Sequence, residues 1–444
     1  MRVGIDGYNL AMPHGTGVAT YGFALANALR NLGYQVEGVF GLDVGDDPAL
    51  REIMFFDQFA RDDGAGGRAS RPVGKWTRRM QRLRAIGGRL RADEVPQSSL
   101  VEREVFATRL PKFDRLTSSP ELFDLANWYF QVTGRFLKLK MANPPQIMHW
   151  TYPVPVELAG ARNVYTLHDL VPLRLPYTTL DVKKNYYRLI KQCIRRADHI
   201  CTVSESSRQD ILSRFTIDPA NVTNTYQSSP IAPGSISDDP LEDARMIDGI
   251  FGLSHRGYYL FFGAIEPKKN VGRIIEAYLG THSEHALVIV GARAWQSEGE
   301  LRLLTNGGYG KMARQVIRLE YLPRALLLRL IRGARAVVFP SLFEGFGLPV
   351  LETMQLGTPV ITSNTSSLPE VAGNAAKLVD PYSVADISEA WRAIDRDQSL
   401  REDLAHRGLE QAARYSDREY RARIAAMYDR VLAGGAAQTP DSTR

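Results

Sequence analysis

Short apolar runs alternate with longer amphipathic stretches along the chain, and this alternation limits the fold more than any other feature. Arg2–Asp6, Ile147–Trp150, Val164–His168, Ile200–Val203, Tyr258–Gly263, Ala286–Gly291, Val316–Glu320 and Ala336–Ser341 read as strands. Between the first strands, a helix over 18–32 sets Leu25, Leu29 and Leu32 on one face. Apolar strands separated by helices form parallel sheets with crossover helices, so the chain is expected to be α/β. Such sheets bind ligands outside the carboxyl ends of their strands.

A chain of 444 residues is long enough for two cored domains. The Ser/Pro/Asp-rich stretch 227–239 separates two strand series, which predicts domains over 1–230 and 231–416. A C-terminal helix over 417–432 carries Tyr420, Ile424, Met427, Tyr428 and Val431 on one face, and 433–444 reads as a tail. This helix could pack on its own domain or on the first one. No apolar run approaches the roughly 18 residues of a membrane span, so neither a span nor a signal peptide is expected. Cys193 and Cys201, eight apart and without a nearby histidine cluster, read as core thiols in a reducing cytoplasm rather than as a zinc site.

The chemistry concentrates in Ser341-Leu-Phe-Glu-Gly-Phe-Gly-Leu-Pro-Val-Leu-Glu352. A buried strand leads into a glycine-containing turn and then a helix, whose first N–H groups are free to hold an anion or sugar hydroxyls. Two carboxylates, Glu344 and Glu352, bracket the turn. A glycosidase needs two carboxyls roughly 5–9.5 Å apart, whereas eight helical steps span about 12 Å. The two acids therefore read as touching different parts of one long ligand.

Glu344-Gly-Phe-Gly-Leu-Pro-Val-Leu-Glu352, Leu356-Gly-Thr-Pro-Val-Ile-Thr-Ser-Asn364 and Ser367-Leu-Pro-Glu370 together resemble the retaining glycosyltransferases of family four. The resemblance extends to Gly263-Ala-Ile-Glu-Pro-Lys-Lys-Asn270, Leu287-Val-Ile-Val-Gly291 and Trp295, and further to Thr166-Leu-His-Asp169, Thr202-Val-Ser-Glu205 and Gly15-Thr-Gly17. It implies a GT-B fold, two Rossmann-like domains facing a cleft, and transfer of a hexose from a nucleotide sugar to an acceptor hydroxyl with retention. In that family Lys269, assisted by Lys268, would meet the diphosphate; Ala264 stands where an arginine commonly follows the glycine. Glu344 would hold the donor sugar and Glu352 the ribose. The backbone at Phe346, Gly347 and Leu348 would approach sugar and phosphates, Gly15, Thr16 and Gly17 would close over the diphosphate, and His168 would face the transferred sugar.

The motif forms resemble bacterial O-antigen and exopolysaccharide mannosyltransferases, so GDP-mannose is the first choice of donor and a UDP-hexose the second. A growing lipid-linked glycan would be the acceptor. No cofactor and no metal are expected, since lysines and a helix N-terminus serve the diphosphate. A nucleotide-sugar epimerase or phosphorylase of the same fold, and a non-catalytic glycan-binding partner, are the alternative functions.

An insertion near 41–125 departs from a compact enzyme of this kind. Within it, Lys75–Arg91 carries seven basic residues interleaved with Trp76, Met80, Leu83, Ile86 and Leu90, the pattern of a basic amphipathic helix for an anionic membrane surface. An ordinary surface helix is the competing reading. The net charge is +6, but no nucleic-acid recognition module is present and nucleic acid is not expected as a partner. The protein would be cytoplasmic, peripheral at the inner membrane face.

Overall fold

The computed structural model describes residues 1–12, 17–61, 85–98, 100–231, 234–237, 239–294, 296–305 and 315–434. Two sheets organise it. In spatial order the first runs Val222–Asn224, His199–Thr202, Arg162–Thr166, Ile147–Trp150, Arg2–Asp6, Gln35–Phe40, Arg115–Ser118 and Asp93–Val95. All neighbours are parallel except the last pair. The second runs Val316–Leu319, Ala286–Val290, Tyr258–Phe262, Ala336–Phe339, Val360–Ser363 and Lys377–Val379, parallel throughout. Strands such as Ala336–Phe339 and Tyr258–Phe262 are buried along their whole length, because helices cover both faces. This is the expected α/β architecture of two Rossmann-like bodies.

Among its parallel strands each sheet reverses order once. In the first the reversal lies between Arg2–Asp6 and Ile147–Trp150; in the second it lies between Tyr258–Phe262 and Ala336–Phe339. A crevice opens at each such point, because the loops leaving the two strands diverge.

Four strands that apolarity did not reveal complete the first sheet: Gln35–Phe40, Arg115–Ser118, Asp93–Val95 and Val222–Asn224. Gln35–Phe40 includes Glu37, which is buried and met by Arg2 at 3.1 Å and Arg115 at 3.4 Å. Arg115–Ser118 has one apolar residue, Leu116, and becomes a strand through its pairing with Gln35–Phe40.

The expected basic helix over 75–91 needs correction at its end. Residues 75–84 lie outside the described residues. Ala85 and Ile86 are helical, but Gly88 adopts φ +65° and Arg89–Arg91 is a strand paired in parallel with Leu137–Lys140. A glycine in the left-handed region ends a helix, and the non-local ladder then takes the backbone groups of Arg89, Leu90 and Arg91.

The C-terminal helix, Asp417–Gly434, packs against the first sheet's helix Gly17–Asn31. Its Tyr428 hydroxyl lies 2.6 Å from His149 Nδ1 in that body, and Tyr420, Ile424 and Met427 are buried with it. Both cysteines are buried, and burial pushes both thiols above their ordinary range.

Candidate active site

The second sheet's reversal point brings the sequence candidates together. Lys268 and Lys269 leave the loop after Tyr258–Phe262, and Glu344 leaves the loop after Ala336–Phe339. Two bonds hold these loops in register: Leu342 N–H donates to the Lys268 carbonyl at 2.8 Å, and Asn270 Nδ2 donates to the Pro340 carbonyl at 2.9 Å. Lys269 Nζ then lies 2.6 Å from Glu344 Oε1 and 5.1 Å from the Phe339 ring centroid. Lys268 Nζ lies 3.5 Å from Glu266 Oε1.

The pair is charged. Burial opposes ionisation of Glu344, which is 9% exposed, yet Lys269 and then Lys268 hold its carboxyl below the usual range. Burial also works against the Lys268 ammonium, but Glu344, Glu266 and Asp169 outweigh it and raise its pKa. Two cations thus stand at a strand-end crevice, each held by carboxylates that a stronger anion could replace as partner.

Glu344 precedes the helix, which covers only Leu348–Gln355, so the helical-step spacing applies from Leu348 onward. Gly347, at φ +108°, caps that helix without a side-chain hydrogen bond, and Pro349 in the first turn has no N–H. An L-residue at Gly347 would be strained, and its Cβ would meet Leu368 at 2.7 Å. The Phe346 side chain points away into a cluster with Tyr226 and Tyr415, ring centroids 6.4 and 5.5 Å distant. Its contribution to a ligand is therefore confined to the backbone. Glu352 engages separate partners: its Oε1 accepts from Arg324 at 2.6 Å and from Ser229 at 2.7 Å.

The first body meets this turn directly. A Cβ on Gly345 would stand 2.5 Å from the His168 carbonyl oxygen. Ser207 Oγ reaches both that carbonyl, at 2.7 Å, and the Gly345 carbonyl, at 3.2 Å. His168 Nε2 lies 2.8 Å from the Thr151 carbonyl, and burial lowers the imidazole's pKa, so it is neutral and donates from Nε2. Gly17 opens its helix with no atom within 4 Å of a would-be Cβ; Gly15, Thr16 and Trp295 lie outside the described residues.

Two family descriptions match the chain, Glycosyltransferase Family 4 over residues 15–226 and Glycosyl transferases group 1 over residues 252–411. O-antigen chain mannosyltransferase B of Escherichia coli is 34% identical over 262 residues, covering 57% of this chain and 67% of that protein. The chain belongs to glycosyltransferase family 4. The serotype-specific mannosyltransferase WbdA of Escherichia coli is 30% identical over 60% of this family 4 chain, which spans only 33% of WbdA. Sucrose-phosphate synthase from Thermosynechococcus elongatus shares the fold at 15% identity, with a TM-score of 0.64 over 98% of this chain and 100% of its own. The fold is GT-B and the protein is a glycosyltransferase.

Several residues of this family 4 site were not singled out from sequence. Glu370 of the second body accepts from the N–H groups of Glu205 and Ser206, at 2.8 and 3.1 Å, at the start of helix Glu205–Arg214. Ser204 caps the third N–H, of Ser207, at 3.0 Å. The helix start is therefore satisfied jointly by both bodies. A strand followed by Val-Ser-Glu205 signals the Ser204 cap in the sequence; nothing local signals Glu370 as a second partner of that helix start, or Arg324 and Ser229 as the partners of Glu352.

Proposed function

We propose that this family 4 glycosyltransferase moves mannose from GDP-mannose to a hydroxyl of a growing lipid-linked glycan in cell-surface polysaccharide synthesis, with retention of anomeric configuration. One observation carries the reading: the Lys269–Glu344 pair at the second sheet's reversal point, with the His168 backbone carbonyl packed against the adjoining Gly345. Departure of a nucleoside diphosphate needs positive charge where negative charge develops. Lys269 and Lys268 supply it, and the Gly347–Leu348 turn opening helix Leu348–Gln355 adds backbone N–H groups. Diphosphate binding takes Lys269 from Glu344 in part, leaving the carboxylate to accept from hydroxyls of the donor sugar. Glu352 takes the ribose hydroxyls through Oε2, since Oε1 serves Arg324 and Ser229. Gly15, Thr16 and Gly17 close over the diphosphate. The acceptor reacts on the face the leaving group vacates, and the departing phosphate takes its proton, with no metal involved. The names of the relatives, an O-antigen chain mannosyltransferase among them, support mannose and a glycan acceptor.

A lipid-linked acceptor places the reaction beside an anionic membrane. Helix Lys183–Arg196 turns Lys184, Tyr187, Arg188, Lys191 and Arg195 outward, and Leu180 and Val182 are exposed just before it. Among the described residues this is a basic face with apolar neighbours, suited to such a surface, alongside the segment 75–91 read from sequence. No helix among the described residues is long and apolar enough to cross a membrane.

Titration calorimetry against GDP-mannose, UDP-glucose and UDP-N-acetylglucosamine tests the donor. Selective binding of GDP-mannose is expected, and selective binding of a UDP-sugar overturns that assignment. The anomeric coupling constant of the isolated product tests retention.

A further inference from the structure

The first sheet's reversal point holds a polar group that the proposed chemistry does not use. Asp6 ends strand Arg2–Asp6 and Thr151 follows strand Ile147–Trp150, so the two residues face each other across the crevice. Asp6 is fully buried. One carboxylate oxygen accepts the Tyr8 N–H at 3.2 Å and the other accepts the Thr151 N–H. Hydrogen bonds from Thr151 and Tyr8 stabilise the anion, yet burial outweighs them and pushes the pKa up to about 6. A carboxylate held this way is costly at a core position, where an apolar residue would be more stable. One of its acceptors instead serves the site through Thr151. Thr151 turns its carbonyl to the Nε2–H of His168 at 2.8 Å, while Tyr21 packs edge-on against the same ring at 4.9 Å.

We infer that Asp6 is a positioning residue for the transfer site: it fixes Thr151, whose carbonyl sets the orientation and tautomer of His168. This rests on His168 acting in the site. With Nε2 committed as donor, Nδ1 keeps its lone pair and can only accept. Without the Thr151 anchor the ring is free to rotate and exchange tautomers. Asn at position 6 keeps one acceptor oxygen but presents its NH2 to the other N–H, and Ala keeps none.

The test is nitrogen NMR of the full chain carrying 15N-labelled histidine, without ligand, with His168→Gln to assign the signals. The wild-type ring is expected as one tautomer, protonated at Nε2 and bare at Nδ1. In Asp6→Asn and Asp6→Ala the two ring nitrogens move toward a common averaged shift, and kcat falls at least tenfold, more for Ala. A wild-type ring that is protonated at Nδ1 or averaged overturns the inference with no substitution needed, so it stays refutable should Asp6→Ala not fold. A folded Asp6→Asn variant with wild-type ring signals and kcat overturns it equally. The tautomer is read without any sugar, so failure of every nucleotide sugar to bind would count against the proposed reaction and not against this geometry.

Discussion

Replacing Lys269 with Met keeps the apolar stem of the side chain and removes the charge 2.6 Å from Glu344 Oε1. Two effects follow and can be separated. Losing one preorganised partner of the leaving group costs about 2.7–4 kcal/mol of transition-state stabilisation, a fall in kcat of about 10²–10³-fold. Independently of any ligand, Glu344 loses its nearest cation while remaining buried, with side chains of the pair only 14% and 11% exposed. Breaking one side of a buried pair costs about 3–5 kcal/mol when nothing replaces it. Lys268 also lowers the Glu344 pKa, so the loss here falls at or below the lower end of that range. The double variant Lys269→Met with Glu344→Gln removes the buried unpaired charge and is expected to recover most of the stability but none of the rate. Initial rates at saturating donor, with urea unfolding in parallel, measure both. A folded Lys269→Met enzyme within tenfold of wild-type kcat would refute the diphosphate role. Recovery of kcat in the double variant would show that Lys269 serves only to neutralise Glu344.

Four further outcomes are expected. Gly345→Ala places a Cβ 2.5 Å from the His168 carbonyl oxygen, so the two bodies must separate; kcat should fall at least about tenfold and small-angle scattering should show a larger radius. Glu370→Gln weakens two charge-assisted bonds to the N–H groups of Glu205 and Ser206, which should lower stability by about 1.5–3 kcal/mol in urea unfolding. Burial pushes His149 down to about 3, so it stays neutral in the fold while the unfolded chain binds its proton below about 6.5. Its contribution to stability is therefore complete above that pH and lost as pH falls from 6.5 toward 3, by about 1.4 kcal/mol per unit, and His149→Gln should flatten that slope. Lys184→Glu, Lys191→Glu and Arg195→Glu together should reduce co-sedimentation with phosphatidylglycerol vesicles at least tenfold, and should leave urea unfolding within 1 kcal/mol of wild type on the order expected for surface changes. Unaltered sedimentation would remove this face from the membrane reading.

The alternation of apolar strands and helices determined the fold class by itself, because a strand buried on both faces must be apolar along its length and Ala336–Phe339 or Tyr258–Phe262 can be little else. The motif around Glu344 and the two lysines was equally legible, since a strand, a glycine at positive φ and a helix start are local features. Tertiary structure decided what those residues touch. Lys269 and Glu344 are 75 positions apart and meet only because their strands adjoin at the reversal of the second sheet. Asp6 and Thr151 meet for the same reason in the first sheet, 145 positions apart. Arg89–Arg91 shows the converse: interleaved basic and apolar residues suit a helix, but Gly88 breaks it and the ladder with Leu137–Lys140 claims the backbone. Gln35–Phe40 and Arg115–Ser118 carry polar residues whose burial is compensated by partners distant in sequence, such as Arg2 for Glu37. Local pattern governs which residues can form an element; pairing across the sheets, which no window of sequence contains, governs where a charge finds its partner.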